Sequence, residues 1–188
     1  MAELVDHLER FLGPIQEGWN LDVDGVKMPF QIVRFDKGSG PGTISFSTLG
    51  LSRLGLPSPA SSQVIRHELL FLAPDNLRDG PIPSLLQQVA MDALNGKRAL
   101  LRGDVLGPQG PLLPGSPMEA LYVGMPVYFP DEFGSCEVEG DSVVIAWLIP
   151  ISKSEATYVA DHGWPAFEDC LVESDPDLTD VYRSSMSL

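Results

Sequence analysis

Apolar residues recur at three- and four-residue spacing in two stretches of the chain, which predicts an amphipathic helix in each. The first helix covers residues 2–12 and is stopped by Gly13-Pro14. The second covers residues 82–95 and ends before Gly96. The two apolar stripes consist of Leu4, Val5, Leu8, Phe11 and Leu12, and of Leu85, Leu86, Val89, Ala90, Ala93 and Leu94.

Two further helices are predicted towards the end of the chain. Ser152 and Glu155 have the spacing of a capping box, in which each side chain bonds the backbone N–H of the other residue. A helix is therefore expected over residues 153–162, ended by the glycine that follows. The next helix is expected from Trp164 to about Glu173. The proline after Trp164 is compatible with its start, because proline is tolerated in a first helical turn.

Between these helices lie apolar runs and alternating segments that are typical of strands. The predicted strands are residues 30–35, 43–47, 64–72, 118–129 and 142–149, with the last two forming a hairpin. A short acidic segment, 136–139, and a turn at Gly140-Asp141 precede the last strand. The order of helix, strands, helix, strands and helices favours one α+β domain over residues 1–188, with a largely antiparallel sheet and helices packed on its faces.

Acidic residues are concentrated in the last third of the sequence. The net charge is −14, and residues 119–188 hold 14 Asp and Glu against only Lys153 and Arg183. This negative charge disfavours nucleic-acid binding. It is compatible with a basic protein partner, and it is also compatible with a role in keeping the protein soluble. The longest apolar run, 143–151, is too short to span a membrane. The acidic start lacks the pattern of a signal peptide, so we expect a cytoplasmic protein.

Motifs that would indicate catalysis or metal binding are not found. The three histidines are far apart in the sequence, and His67 and Glu68, as neighbours on a strand, point to opposite faces. The glycines of residues 38–42 lack the lysine and the helix of a phosphate-binding loop. Cys136 and Cys170 belong to no paired motif and are expected to be reduced. We therefore expect no catalytic residue, no metal and no cofactor.

Two groups of acids need a structural explanation. Glu137, Glu139 and Asp141 fit a solvated strand face and the turn that follows it. The aspartates of residues 175–180 precede Arg183, but they lack the glycine and the distal glutamate of a calcium loop. We expect an Asp–Arg clamp that holds the tail.

Four segments, in order, resemble the suppressor-of-fused family. They resemble its strand ending in Gly-Leu-Ser, its Phe-Glu-Leu-Thr-Phe-Arg strand, its Gly-Asp turn with a Pro-Leu loop, and its closing strand, capped helix and Asp-to-Arg-Ser tail. The segments are Ile44-Ser-Phe-Ser-Thr-Leu-Gly-Leu-Ser-Arg-Leu54, Arg66-His-Glu-Leu-Leu-Phe-Leu72, Arg102-Gly-Asp-Val-Leu-Gly-Pro-Gln-Gly-Pro-Leu112, and residues 146–156 with 162–163 and 178–185. Together they cover about residues 30–185.

The resemblance implies a mixed α/β sandwich that acts as a binding module. Animal members bind Gli transcription factors by letting a peptide add to sheet structure. Stand-alone bacterial members are associated with toxin–immunity loci, and the acidic, compact and Pro-rich character of this chain looks like the bacterial kind. In the animal branch the Asp of the Gly-Asp turn faces the partner, and this position corresponds to Asp104.

We therefore expect a non-enzymatic protein-binding module, and more specifically an immunity protein that neutralises a partner toxin. The partner is expected to be a basic protein that contacts Asp104, Glu137, Glu139 and Asp141. One alternative is an enzyme without a recognised motif, which requires a pocket with at least two convergent ionisable groups. Another is a structural protein that self-associates through a sheet edge. The sequence leaves the oligomeric state open.

Overall fold

The chain folds into a large sheet covered by helices, as described by a computed structural model for residues 2–22 and 24–188. The helices are α1 (Ala2–Leu12), α2 (Ile82–Asn95), α3 (Lys153–His162) and α4 (Trp164–Ser174). The strands are β1 (Ile15–Leu21), β2 (Lys27–Phe35), β3 (Thr43–Leu49), β4 (Leu56–Pro57), β5 (Val64–Ile65), β6 (His67–Pro74), β7 (Val105–Leu106), β8 (Met118–Gly124), β9 (Ser135–Val138) and β10 (Asp141–Ser152). In this part of the chain, no helix is long and apolar enough to cross a membrane.

The main sheet has the order β1-β2-β3-β6-β10-β8-β7, and β9 also pairs with β10. Neighbouring strands are antiparallel except β6 and β10, which run parallel. Trp147 pairs with Leu70 of β6 and with Gly124 of β8, so β8 lies on the edge of β10 opposite β6. Val144 likewise pairs with β6 and with Ser135 of β9, which puts β9 on the same edge as β8. The predicted mixed, largely antiparallel sheet is confirmed.

Both faces of this sheet are buried, because helices cover each of them. Alternate residues of a strand point to opposite faces. In β10, Ala146 and Leu148 belong to a core cluster that includes α2, whereas Ile145, Trp147 and Ile149 belong to a second cluster with α1, α3 and α4. The sandwich therefore consists of a sheet between two helical layers. Burial on both faces explains the nearly unbroken apolar sequence of β10.

The local signals for the helices are confirmed. The Ser152 hydroxyl accepts the N–H of Glu155, and the Glu155 carboxylate accepts the N–H of Ser152, which completes the capping box of α3. The other three helices begin and end at or next to the predicted residues. These boundaries depend on interactions within a few residues, which is why the sequence is sufficient to predict them.

The strands differ from the prediction in four places. The run 64–72 is split at Arg66, where the chain leaves the small β4–β5 sheet and joins the main sheet as β6. The run 118–129 is a strand only to Gly124, because Pro126 follows and lacks the N–H that a ladder needs. The predicted hairpin of residues 118–129 and 142–149 is replaced by a tight hairpin of β9 and β10, although β8 and β10 do pair antiparallel. Strand β1 was not predicted, because its side chains on the sheet edge are mostly exposed.

The predicted Asp–Arg clamp is wrong in its acidic partner. The Arg183 guanidinium forms two hydrogen bonds of 2.7 Å to the two carboxylate oxygens of Glu155, and both side chains are buried. Asp177 and Asp180 instead accept backbone N–H groups two residues ahead of them. The arginine reaches back to α3 because a buried carboxylate requires a counter-charge, whereas exposed aspartates are solvated.

Candidate functional site

Asp104 lies in a tight turn beside β7, and its carboxylate is engaged within that turn. One oxygen accepts the N–H of Leu101 at 2.8 Å, and the other accepts a hydrogen bond of 2.8 Å from Arg98. Gly103 precedes it with a φ of +93°, and a Cβ at this position would overlap the ring of Trp164. The Gly-Asp turn therefore requires its glycine, and the Asp104 side chain holds the turn together.

Glu137, Glu139 and Asp141 lie exposed on the β9–β10 hairpin, as predicted. The Asp141 carboxylate forms an ion pair of 2.9 Å with Arg66, and the backbone N–H of Glu139 donates to the carboxylate of Glu3 on α1 at 2.9 Å. The hairpin is thus attached to the helical layer and presents carboxylates to solvent.

The four predicted contact residues do not form one cluster. Asp104 is bonded through its backbone to Val123, which lies opposite Leu148 of β10, whereas the hairpin joins β10 at Asp141. Seven strand residues at about 3.3 Å each separate these two levels by about 23 Å. A partner with an ordinary interface of about 800 Å² per side can still contact both.

Acidic side chains are concentrated on the face that α1, α3 and α4 cover. These three helices carry eight Asp and Glu against Arg10 and Lys153, and two of the eight, Glu155 and Glu168, are paired with arginines from outside the helices. On the opposite face, the only charged residue of α2 is Asp92. The uneven charge along the sequence therefore becomes a difference in charge between the two helical layers, which we call the acidic face and the α2 face.

An apolar groove lies on the acidic face, between α4 and the segment that follows β8. Its volume is about 180 Å³, which is comparable to the cavity of about 150 Å³ that accepts benzene. Val172 of α4 and Val127 line it, with 82% and 68% of their surface exposed. The remaining apolar residues of the groove are Gly124, Met125, Ile149, Leu171, Pro176 and Leu178.

A hydrogen-bonded cluster lines one side of this groove. The Tyr122 hydroxyl donates to Glu168 at 2.7 Å, and Arg102 Nε donates to the same oxygen at 2.9 Å, while the Arg102 guanidinium lies 4.7 Å from the centre of the Trp164 ring. Burial acts to raise the pKa of Glu168, but the bonds from Arg102 and Tyr122 outweigh it and lower that pKa. Burial, together with the bond to Glu168, raises the pKa of Tyr122. The cluster thus contains an ion pair and a neutral phenol.

The opposite wall is the tail, which Tyr128 holds in place. The Tyr128 hydroxyl donates to the carbonyl of Pro176 at 3.2 Å and accepts the N–H of Leu178 at 3.3 Å. Its ring packs 5.0 Å from the ring of Trp147 in the core. The tail therefore has a fixed position against the groove, although it contains no helix or strand.

One exposed carboxylate borders the groove, and two more are each next in sequence to a residue that lines it. Asp175 and Asp177 line an open depression that shares Tyr128 and Pro176 with the groove, and Asp169 and Glu173 are exposed on α4. Among the described residues, Asp169, Glu173 and Asp175 form no ion pair. We refer to these three carboxylates as the acidic rim.

Two buried ionisable residues of β6 serve the fold rather than this groove. Burial lowers the pKa of His67 to about 4, and its Nε2 accepts the N–H of Leu100 at 3.2 Å. Glu68 accepts hydrogen bonds from the hydroxyls of Thr48 and Ser52, at 2.6 and 2.7 Å, and from the three backbone N–H groups of residues 50–52. Within residues 2–22 and 24–188, no three His, Cys, Asp or Glu residues are placed to hold a metal ion.

The sequence pattern does not predict the groove. Residues 125–129 extend an apolar run and therefore resemble a strand, and Glu168 counts only as one of many acids. One signal is present, because Pro126 marks the end of β8 and leaves Val127 outside the sheet. The partnership of Arg102 with Glu168 joins residues 66 positions apart and has no local signature.

Comparison with solved structures supports the fold. A SUFU homologue from Neisseria gonorrhoeae FA 1090 has a TM-score of 0.77 and 18% identity, with 100% of this chain and 96% of that chain covered. A chain in the Sufu–Fu complex has a TM-score of 0.74 and 15% identity, with coverage of 97% and 90%. Drosophila Suppressor of Fused has a TM-score of 0.73 and 15% identity, with 98% of this chain and 50% of that chain covered.

Comparison at the sequence level identifies the family. A search of curated proteins finds no significant match. The profile of the family described as Suppressor of fused protein (SUFU) matches residues 27–184, which is most of the chain and includes the segments that resemble the family up to residue 184. This chain therefore belongs to the suppressor of fused family.

Proposed function

We propose that this chain is a non-enzymatic protein-interaction module that binds a basic protein partner. A member of the same family is found with a protein partner in the Sufu–Fu complex, and its chain has the same fold. The observation that carries the proposal is the acidic face, because complementary charge accelerates association and selects partners of opposite sign.

The partner contacts are assigned to the hairpin residues Glu137, Glu139 and Asp141, which are exposed next to α1. Asp104 is retained as a contact on the family resemblance, although its carboxylate already bonds Arg98 and Leu101. Its contribution is therefore expected to be smaller than that of the hairpin.

The groove does hold convergent ionisable groups, which the enzyme alternative requires: Arg102, Tyr122 and Glu168. Glu168 accepts hydrogen bonds from Arg102 and Tyr122, so these bonds join α4 to the turn at Gly103 and to β8. In β6 both ionisable side chains likewise bond the fold, and these structural roles fit a binding module. A basic partner that is toxic alone and harmless on co-expression with this chain would extend the proposal to an immunity function.

The proposal is tested by capture of partners on the full chain at about 0.1 M and about 1 M salt, with identification by mass spectrometry. Screening shortens the reach of charge from about 10 Å to about 3 Å over this range. We expect one dominant basic protein at low salt and its loss at high salt. Absence of a basic partner at low salt, or capture that is unaffected by salt, would contradict the proposal.

The purified partner then allows the hairpin to be tested by its association rate. Neutralising the three hairpin acids should lower the association rate about tenfold, since steering by charge contributes factors of about 10 to 1,000. A control variant loses the same charge near the α2 face and should change the rate less than twofold. The hairpin variant is Glu137→Gln/Glu139→Gln/Asp141→Asn, and the control variant is Asp75→Asn/Asp79→Asn/Asp92→Asn. Equal rates for the two variants would remove the hairpin from the interface.

A further inference from the structure

Exposed apolar side chains are gathered at the groove beside α4. On soluble proteins such side chains normally occur singly, and a contiguous patch indicates an interaction site. Met125, Val127, Tyr128 and Val172 are exposed and line the same cavity, although they come from two separate segments of the chain. The fold thus brings together apolar surface that neither segment presents alone.

The walls of the groove are fixed before any ligand arrives. The Tyr128 hydroxyl holds the tail by donating one hydrogen bond and accepting another, and the Arg102–Glu168 ion pair joins α4 to the turn at Gly103. A preformed site loses little conformational entropy on binding, so even a small apolar contact contributes to affinity. The volume of about 180 Å³ suits one large apolar side chain.

Charge at the acidic rim restricts which segment can enter. Asp175 borders both the groove and the adjoining depression. A residue of the ligand next to the bound apolar side chain is therefore close to the Asp175 carboxylate. Asp169 and Glu173 add negative charge on α4, the helix that ends just before Asp175. A second copy of this chain would bring a net charge of −14 to this rim, and anionic lipid would be repelled in the same way.

We propose that this groove binds a partner segment that inserts one large apolar side chain flanked by lysine or arginine. The basic character of the segment rests on the proposed function, whereas the apolar anchor rests on the groove itself. The two features must lie within a few residues of each other, because the apolar groove and the acidic depression share Tyr128, Asp175 and Pro176.

The direct test uses a capped five-residue peptide with a central phenylalanine and two lysines on each side. Methyl spectra of the full chain should show shifts at Val127, Leu171 and Val172 on titration. A peptide with alanine at the centre should bind at least tenfold more weakly, and a peptide with glutamate in place of lysine should cause no shift. These comparisons separate the contribution of the anchor from that of charge.

Variants of exposed residues test the same site without disturbing the core. Val172→Asp should weaken binding of the phenylalanine peptide at least tenfold, even though it adds an attractive charge for lysine. The matched control is Val64→Asp, which places the same substitution at a valine with 61% of its surface exposed and distant in sequence from the groove. It should leave affinity within twofold. Neutralising the acidic rim with Asp169→Asn/Glu173→Gln/Asp175→Asn should weaken binding at least fivefold.

The outcomes distinguish this proposal from the proposed function. The groove proposal would be overturned if the peptide shifted only methyl signals outside the groove and Val172→Asp did not change its affinity. Capture of a basic partner would in that case still support the proposed function. Loss of both peptide binding and partner capture would overturn both. Self-association in light scattering that Val172→Asp abolishes would assign the groove to a second copy of the chain and overturn the proposed occupant.

Discussion

Removal of the arginine that holds the tail should destabilise the protein strongly. Arg183 donates two hydrogen bonds to Glu155 and one to the carbonyl of Pro150, and it is almost entirely buried. Methionine preserves much of the side-chain volume but leaves the Glu155 carboxylate buried without its counter-charge. Breaking one side of a buried ion pair costs about 3–5 kcal/mol, and we expect Arg183→Met to lower the free energy of unfolding by this amount.

A double variant shows whether the unpaired charge is the cause. Glu155 also accepts the backbone N–H groups of Ser152 and Met186, which a glutamine oxygen can retain in part. Glu155→Gln/Arg183→Met should therefore be more stable than Arg183→Met alone, by about 1–3 kcal/mol. Urea unfolding followed by tryptophan fluorescence measures both changes, and a loss of about 4 kcal/mol shifts the midpoint by about 2 M.

An exposed ion pair provides the matched control. Arg78 bonds Asp36 at 2.9 Å, and both side chains are about two-fifths exposed. Arg78→Met should cost less than about 1 kcal/mol, because water solvates the aspartate that remains. A similar loss for the Arg183 and Arg78 variants would refute the reasoning, and so would a double variant less stable than Arg183→Met.

The pH dependence gives an independent check with a defined sign. Burial acts to raise the pKa of Glu155, but bonds from Arg183, Met186 and Ser152 outweigh it and hold the pKa below its ordinary value. In the wild type this pair stabilises the fold above the unfolded pKa, and the contribution is lost as pH falls through the folded pKa. Without Arg183 burial dominates, so the stability deficit of Arg183→Met should shrink as pH falls from neutral.

Two further predictions concern a buried histidine and a turn. The pKa of His67 is lowered from 6.5 to about 4, so the unfolded chain binds more protons than the folded chain between these pH values. The free energy of unfolding should therefore fall by about 3 kcal/mol as pH decreases across that window. Urea unfolding should show this pH dependence in the wild type and its loss in His67→Gln. Gly103→Ala should cost about 2–4 kcal/mol, since a positive φ costs about 1–2 kcal/mol and overlap with Trp164 adds the rest. Gly110→Ala, at a φ of +102° with open space around it, should show only the cost of the positive φ.

Local sequence signals predict the helices well, because their determinants lie close together. The capping box of α3 joins residues 152 and 155, and Pro165 lies in the first turn of α4. The apolar stripes of α1 and α2 also repeat within a few residues. The sheet is harder to predict, because edge strand β1 has mostly exposed side chains and the run 64–72 passes from the β4–β5 sheet to the main sheet at Arg66.

The long-range ion pairs that hold the tail and one side of the groove could not be found in this way. Arg183 reaches Glu155 across 28 positions, and Arg102 reaches Glu168 across 66. In each case the acidic chain offers several carboxylates that could pair with the arginine. Which of them does so is decided by the packing of α3 and α4 on the sheet. The family resemblance supplied the overall fold, but a resemblance in motifs does not place Val172 next to Val127.

In the proposed function, the acidic face serves solubility and partner choice through the same carboxylates. Solubility alone is satisfied by charge spread over the whole surface, whereas here α2 carries one charged residue and the opposite layer has both the apolar groove and most of the helical acids. An exposed apolar groove promotes association with any protein that offers an apolar side chain. Carboxylates on its rim repel further copies of this chain and other acidic proteins, and they attract a basic segment. The position of the charge therefore supports a selective binding surface, and a protection from self-association follows from the same arrangement.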